Sequence, residues 1–172
     1  DIKKLQSFNG EYIRMMPLED FITAAEVILT SSAAPWPVER YKPELFRAMA
    51  ALVQTRIVVM AEVCALVDFL FLAEPPIDDA AFTKAFSADF AAPTLGEIAT
   101  AFATCEWNAE SLKTAVEAVG TKHDVKLGKL QGPLRIAITG RSVGPPLFEP
   151  IELLGRDESL RRIKSALARA QG

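Results

Sequence analysis

The chain has 172 residues, half of them hydrophobic, with 24 % charged residues and a formal net charge of −3. That composition excludes a disordered chain and supplies apolar mass for one domain, or for two small ones sharing an interface. The acidic total removes the overall basic excess typical of a phosphate binder, but residues 1–119 carry nine Lys/Arg against seventeen Asp/Glu and residues 120–172 carry ten against five, so any nucleic-acid contact is expected in the tail.

The opening DIKKLQSFNGEY has neither an initiator Met nor a charged-then-apolar leader, and reads as the middle of a longer, cytoplasmic protein. Pro17 opens a helix to about Ser32, with Phe21, Ala24, Ala25, Ile28 and Leu29 on one stripe, and Pro35 and Pro37 break the chain after it. Pro43 starts the longest predicted helix, to about Ala73. Its apolar stretch Ile57 to Ala73 is interrupted by Glu62 and Asp68 and falls short of the roughly twenty residues of a membrane span, so it reads as a core helix. Glu74-Pro75-Pro76 stops it and marks a boundary between subdomains 1–74 and 75–172. Asp78 and Thr94 are expected to cap helices near 79–86 and 95–105, and Asn108 a third reaching Val119, closed by Gly120. Gly132-Pro133 is expected to begin a short helix ended by Gly140, and Pro145-Pro146 another ended by Gly155. Pro150 then falls where its missing N–H is needed, which predicts a kinked or 3₁₀-like turn. A last helix spans about 157–170, with Leu160, Ile163 and Leu167 on the docking face and Arg161, Arg162, Lys164 and Arg169 outside it. The expected fold is all-α: a helical bundle or cage of about eight to nine helices in two packed subdomains, with no sheet.

Catalytic chemistry leaves no trace. There is one His, no Cys-His or Ser-His set, no GxGxxG and no GxxxxGK[ST] loop. Cys64 and Cys105 read as small buried hydrophobes and His123 as a solvated surface residue. The pairs Asp78-Asp79 and Glu19-Asp20 stand at helix starts, where capping and dipole compensation account for them. No catalytic residue, metal site or cofactor is expected in this chain.

Four blocks carry a resemblance that the periodicity does not supply: FNGEYIRMM at 8–16, LVQTRIVVMAEV at 52–63, VKLGKLQGPLRIAITG at 125–140 and PPLFEPIELLGRDESLRRI at 145–163. Together the chain resembles the C-terminal, tRNA-reading half of bacterial glutamyl-tRNA synthetases, the second block looking most like members from high-GC Gram-positive bacteria. The resemblance implies a parent enzyme that attaches glutamate to tRNA using ATP and Mg²⁺. Its class I Rossmann domain would carry HIGH-like and KMSKS-like motifs, both missing here. It further implies a stem-contact role for 1–74 and an anticodon-binding role for 75–172, with tRNA(Glu) and the catalytic domain as partners of a monomeric, cytoplasmic protein.

By the same resemblance, Arg135 looks like the arginine that reads the middle anticodon base and Arg56 the one that senses the third. Gly144, Pro145 and Leu147 look like the platform for the first, Leu147 offering an apolar face. A guanidinium suits this work, being a planar fork of donors that bonds base edges and stacks on unstacked rings. An arginine at 56 further hints at an enzyme that discriminates tRNA(Glu) from tRNA(Gln). Other readings stay open: Arg56 also fits an ion pair with Glu62 or Glu26. Lys126, Lys129 and Arg141 fit either a solvated basic rim or phosphate contacts beside Arg135, and Arg14 a contact to the tRNA stem. Without the resemblance, the helical pattern and its caps, which say nothing about a partner, favour a protein-interaction module with a basic tail and no RNA role.

Overall fold

The computed structural model describes all 172 residues. It holds eleven α-helices and no strand, the only extended pairing being an isolated antiparallel bridge between Asn9 and Val59. The all-α expectation holds, with more helices than the eight to nine expected. By its internal contacts the chain divides into two compact units, Asp1–Pro75 and Pro76–Gly172.

The first unit comprises α1 (Ile2–Gln6), α2 (Gly10–Met15), α3 (Leu18–Leu29), α4 (Pro43–Gln54) and α5 (Val63–Phe71). The side chains of Asp1 and Asn9 cap α1 and α2 by accepting from the Lys3 and Tyr12 N–H groups. Phe21, Ala25, Ile28 and Leu29 of α3 are buried, as are Phe46, Met49 and Val53 of α4, and the two helices pack together through these stripes. The Pro-rich loop between them is anchored. Trp36 is buried with its indole N–H donating to the Leu29 carbonyl at 3.0 Å and its ring centroid 5.1 Å from that of Phe71, and Arg40 Nε donates to the Phe71 carbonyl at 2.7 Å.

The single helix expected from Pro43 to Ala73 is two helices, and the longest is instead the C-terminal one. Ile57, Val58 and Val59 are consecutive β-branched residues, which lose side-chain freedom against a preceding helical turn. Val59 is extended at φ −133°, ψ 150°. The Glu62 carboxylate accepts the N–H groups of Val58 (2.6 Å) and Val59 (3.2 Å). Gln54, at the end of α4, donates through Nε2 to the carbonyls of Ile13 (2.8 Å) and Met16 (2.9 Å), so α2 is fastened where α4 stops. No helix is long and apolar enough to cross a membrane.

The second unit comprises α6 (Asp79–Ala85), α7 (Ala91–Phe102), α8 (Ala109–His123), α9 (Leu127–Thr139), α10 (Phe148–Leu154) and α11 (Arg156–Gln171), with α7 packed against α8, α9 and α11. Asp78 and Asn108 are caps, their side-chain oxygens accepting from Ala81 N–H (3.0 Å) and Ser111 N–H (2.9 Å). Thr94 is not: α7 begins at Ala91, and the buried Thr94 hydroxyl donates back to the Phe90 carbonyl at 2.7 Å. Gly120 does not close α8, which continues to His123 and ends through Asp124 at φ 54°. A glycine is needed there for closeness, because a Cβ at Gly120 would lie 2.5 Å from the Val125 carbonyl oxygen.

Further corrections concern the end of the chain. α9 starts at Leu127, so Gly132 and Pro133 lie inside it. Pro150 needs no kink, because α10 starts at Phe148 and leaves Pro150 in the first turn, where N–H groups have no helical acceptor in any case. Arg162 of α11 is buried at 5 % exposure, not outside. Cys64 and Cys105 are half-buried, the burial raising the Cys64 thiol to about 11.

Gly140 ends α9 at φ 77°, and a Cβ there would lie 2.1 Å from the Pro76 carbonyl oxygen, while the Gly140 carbonyl accepts from Asp78 N–H at 2.9 Å. Strain and overlap act together. Gly140→Ala is therefore expected to destabilise the protein by about 2 kcal/mol or more, read as a melting temperature several degrees lower in a thermal scan.

Candidate nucleic-acid interface

The site grows from the C-terminal end of α9. In the third turn, Arg135 is half-buried and its Nη1 donates to the Pro145 carbonyl at 2.7 Å, closing the segment between them into a corner. A helix beginning at Gly132-Pro133 puts Arg135 in a first turn, where the helix dipole disfavours a cation. The earlier start of α9 removes that penalty and sets the charge toward the favourable C-terminal end. Gly144 lies against the guanidinium, since a Cβ on it would meet Arg135 Nη1 at 3.4 Å.

The corner is braced from behind. The Thr139 hydroxyl donates to the Arg135 carbonyl (2.9 Å) and accepts from Arg141 N–H (3.2 Å), which turns the chain out of α9 through Gly140. From α11, the buried Arg162 donates through Nη1 to the Ile138 carbonyl at 2.7 Å and through Nε to Glu158 at 2.9 Å. Pro145 is buried and Pro146 half-buried. Leu147 is only 2 % exposed, so its side chain belongs to the core and offers no surface to a ligand. The apolar side chain that the corner does present is Val143, 74 % exposed, which sequence reasoning passed over. A β-branched residue between Ser142 and Gly144, in a segment too short to bury it, was the available signal.

Lys126 and Lys129 are exposed and make no ion pair, but they do not stand beside Arg135 as the sequence suggested. Lys129 shares a face of α9 with Gly132, Pro133 and Ile136, about 120° round the helix from Arg135 at roughly 100° per residue. Arg141 follows Gly140 directly and is half-buried. His123, expected to be solvated, has its Nε2 2.8 Å from Glu97 Oε1, and Lys122 pairs with the same carboxylate at 2.9 Å. These partners, Lys122 first, hold the Glu97 carboxyl below its ordinary range.

In the first unit, Arg56 follows the end of α4 and is exposed, its side chain pairing with neither Glu62 nor Glu26. Two residues on stands the exposed Val58 (61 %), and the backbone of Val58 and the guanidinium of Arg14 on α2 both lie beside Gly10, at 3.1 and 3.0 Å from where a Cβ would stand. No group of three His, Cys, Asp or Glu side chains is arranged to hold a metal ion.

A family model described as an anticodon binding domain matches residues 19–167. The chain is 48 % identical over its full length to a glutamate–tRNA ligase of Frankia casuarinae, of which it covers 36 %, and 48 % identical over 98 % of its length to the enzyme of Salinispora arenicola, of which it covers 37 %. It thus spans about a third of these relatives' length. Among solved structures, a glutamate tRNA ligase from Elizabethkingia meningosepticum, crystallised with its amino acid, shares the fold at a TM-score of 0.73 and 22 % identity over 93 % of this chain and 31 % of that one.

The Arg162–Glu158 clamp sets a pH dependence. The guanidinium groups of Arg161 and then Arg162 hold the Glu158 carboxyl down from 4.5 to about 2. A depressed carboxyl contributes stability that is full above 4.5 and is lost as the pH falls toward 2. The difference in unfolding free energy between wild type and Glu158→Gln is accordingly expected to be largest near neutral pH and to shrink through that window, as measured by urea unfolding at stepped pH.

Proposed function

The chain belongs to the anticodon-binding domain family, and from that premise we propose that it reads the anticodon loop of tRNA(Glu) as the C-terminal part of a glutamate–tRNA ligase. The observation that carries the reading is the bond from Arg135 to the Pro145 carbonyl, which fixes a guanidinium and a Gly-Pro-Pro corner as one surface in the chain's basic region. Arg135 engages the middle base, the backbone of Gly144 and Pro145 the first, and Arg56 the third. Unstacked bases of a loop expose the edges and faces that such groups recognise. A corner held before binding loses little conformational entropy when it meets RNA. Leu147 acts beneath this surface, holding the corner's floor, and Val143 provides the apolar contact. Arg141, Lys126, Lys129 and, on the first unit, Arg14 supply phosphate contacts, which add affinity without reading sequence.

Within the whole ligase, ATP, Mg²⁺ and glutamate belong to the catalytic region, and this chain contributes selection of the tRNA. The whole protein works as a cytoplasmic monomer, with residues 1–74 against the tRNA stem, Arg56 excepted, and 75–172 against the anticodon. Arg56 makes the enzyme discriminating, because glutamate and glutamine anticodons differ at the third base.

Two outcomes test the reading. In filter binding at low salt, the chain is expected to bind a tRNA(Glu) transcript with a log–log salt slope of about −0.7 per phosphate contact, and Arg135→Ala is expected to lower affinity roughly tenfold or more while the helical spectrum is unchanged. A chain that neither binds nor competes for tRNA(Glu) contradicts it and favours the protein-interaction module. In the full-length ligase, Arg56→Gln is expected to narrow the charging preference for tRNA(Glu) over tRNA(Gln). An unchanged preference removes Arg56 from the third-base role.

A further inference from the structure

The second unit holds a cleft lined by none of the residues assigned to the three anticodon bases. It occupies about 340 Å³ between α6, the turn before α7, and α9, and is lined among others by Lys84, Phe90, Lys129, Gly132, Pro133 and Ser142. Its walls are largely apolar and its rim is cationic: Lys84 and Lys129 are both exposed, neither has an ion-pair partner, and no carboxylate lines the space. A second cavity shares Phe90 and Lys129 with it, but Glu117 and Asp124 line that one and make it a poor host for phosphate. Gly132 is exposed, with nothing within 4 Å of where a Cβ would stand, so α9 presents bare backbone to the cleft at that point. Such a gap permits close approach of a flat ring. Ser142 ties the cleft to the corner, being next to Arg141 and two residues from Gly144.

We propose that this cleft is a fourth nucleotide site, taking one base of the same RNA loop adjacent to the anticodon, packed against the half-buried Phe90 over the bare backbone at Gly132, with the flanking phosphates on Lys129 and Lys84. The proposal rests on the reading above that the second unit binds an RNA loop. Each component has its physical reason. An aromatic face stacks on any base without reading its edge, so the site adds affinity and fixes loop geometry while leaving the coding readout to Arg135 and the corner. The carboxylate-free cationic rim complements a phosphate backbone, and Ser142, which lines the cleft, stands two residues from Gly144 of the corner.

The test uses the whole chain and a synthetic anticodon stem-loop of tRNA(Glu) sequence, with copies carrying one abasic nucleotide at each loop position outside the anticodon. Binding is read by fluorescence anisotropy at several salt concentrations. At one of those positions the abasic copy is expected to bind wild type roughly five- to a hundredfold more weakly. Phe90→Ala is expected to lower affinity for the intact hairpin by a similar factor and to erase that penalty. The exposed, fold-neutral Lys129→Gln is expected to reduce the salt slope by about 0.7. Phe90→Leu, which keeps the apolar volume, separates lost stacking from lost folding: it should bind as weakly as Phe90→Ala with an unchanged helical spectrum. Equal abasic penalties in wild type and Phe90→Ala, or full affinity in both Phe90 variants, overturn the fourth site. Arg135→Ala distinguishes the two levels, since anticodon-dependent binding that Arg135→Ala weakens and the Phe90 variants leave intact sinks only the cleft. An absence of hairpin binding by wild type sinks the underlying reading and the cleft with it.

Discussion

One hydrogen bond, from Arg135 Nη1 to the Pro145 carbonyl, organises the surface on which the functional reading depends. It joins the last turn but one of a helix to a loop that has no other regular structure, and so converts two flexible groups into a single rigid one. Its geometry is set by what lies behind it. Thr139 steers the chain out of α9, and Gly140 adopts the left-handed conformation that lets Pro76 come close. Arg162, buried in α11, grips the Ile138 carbonyl one turn below. A buried arginine left without its acceptor or its carboxylate is costly, so α9 and α11 are held in a fixed relation near the site.

Much of this was legible in the chain, and the reasons are specific. Asp78 and Asn108 were found as caps because a short polar side chain before an apolar run has a local use that packing does not alter. Gly140 and Gly155 were found as terminators because positive φ favours glycine wherever it occurs. The misses share a different origin. Thr94 and Gly120 carry the residue types of caps but serve tertiary needs, one bonding back within its own helix and the other making room for Val125. The break after Gln54 is hidden because Ile57 to Ala73 is apolar but for Glu62 and Asp68, and the bridge of Val59 to Asn9 is a long-range contact that local periodicity does not report.

The site was legible in part. Arg135, Gly144 and Pro145 were named from resemblance, and the structure brings them together. Leu147, named with them, is in the core, while Val143 is hidden from the sequence because exposure of an apolar side chain is a property of the folded surface. The lysines illustrate the same limit. Lys126 and Lys129 are near Arg135 in sequence, but helical phase turns Lys129 toward a separate cleft, so what read as one basic cluster is two surfaces that meet at Ser142.

The division of charge gives these surfaces their setting. A chain with net −3 concentrates its cations in the last third, where Lys122, Arg161, Arg162 and Arg169 are paired with carboxylates and Lys126 and Lys129 are left exposed without an ion pair. The central claim, that the Arg135 corner is where RNA is met, is tested most directly by amide hydrogen exchange of the whole chain with and without a tRNA(Glu) transcript at low salt. Slowed exchange is expected at Arg141 to Gly144 and at Leu147, with the outward turns of α8 unchanged. Bound tRNA that leaves those amides unprotected, or protects α8 in their place, would contradict it.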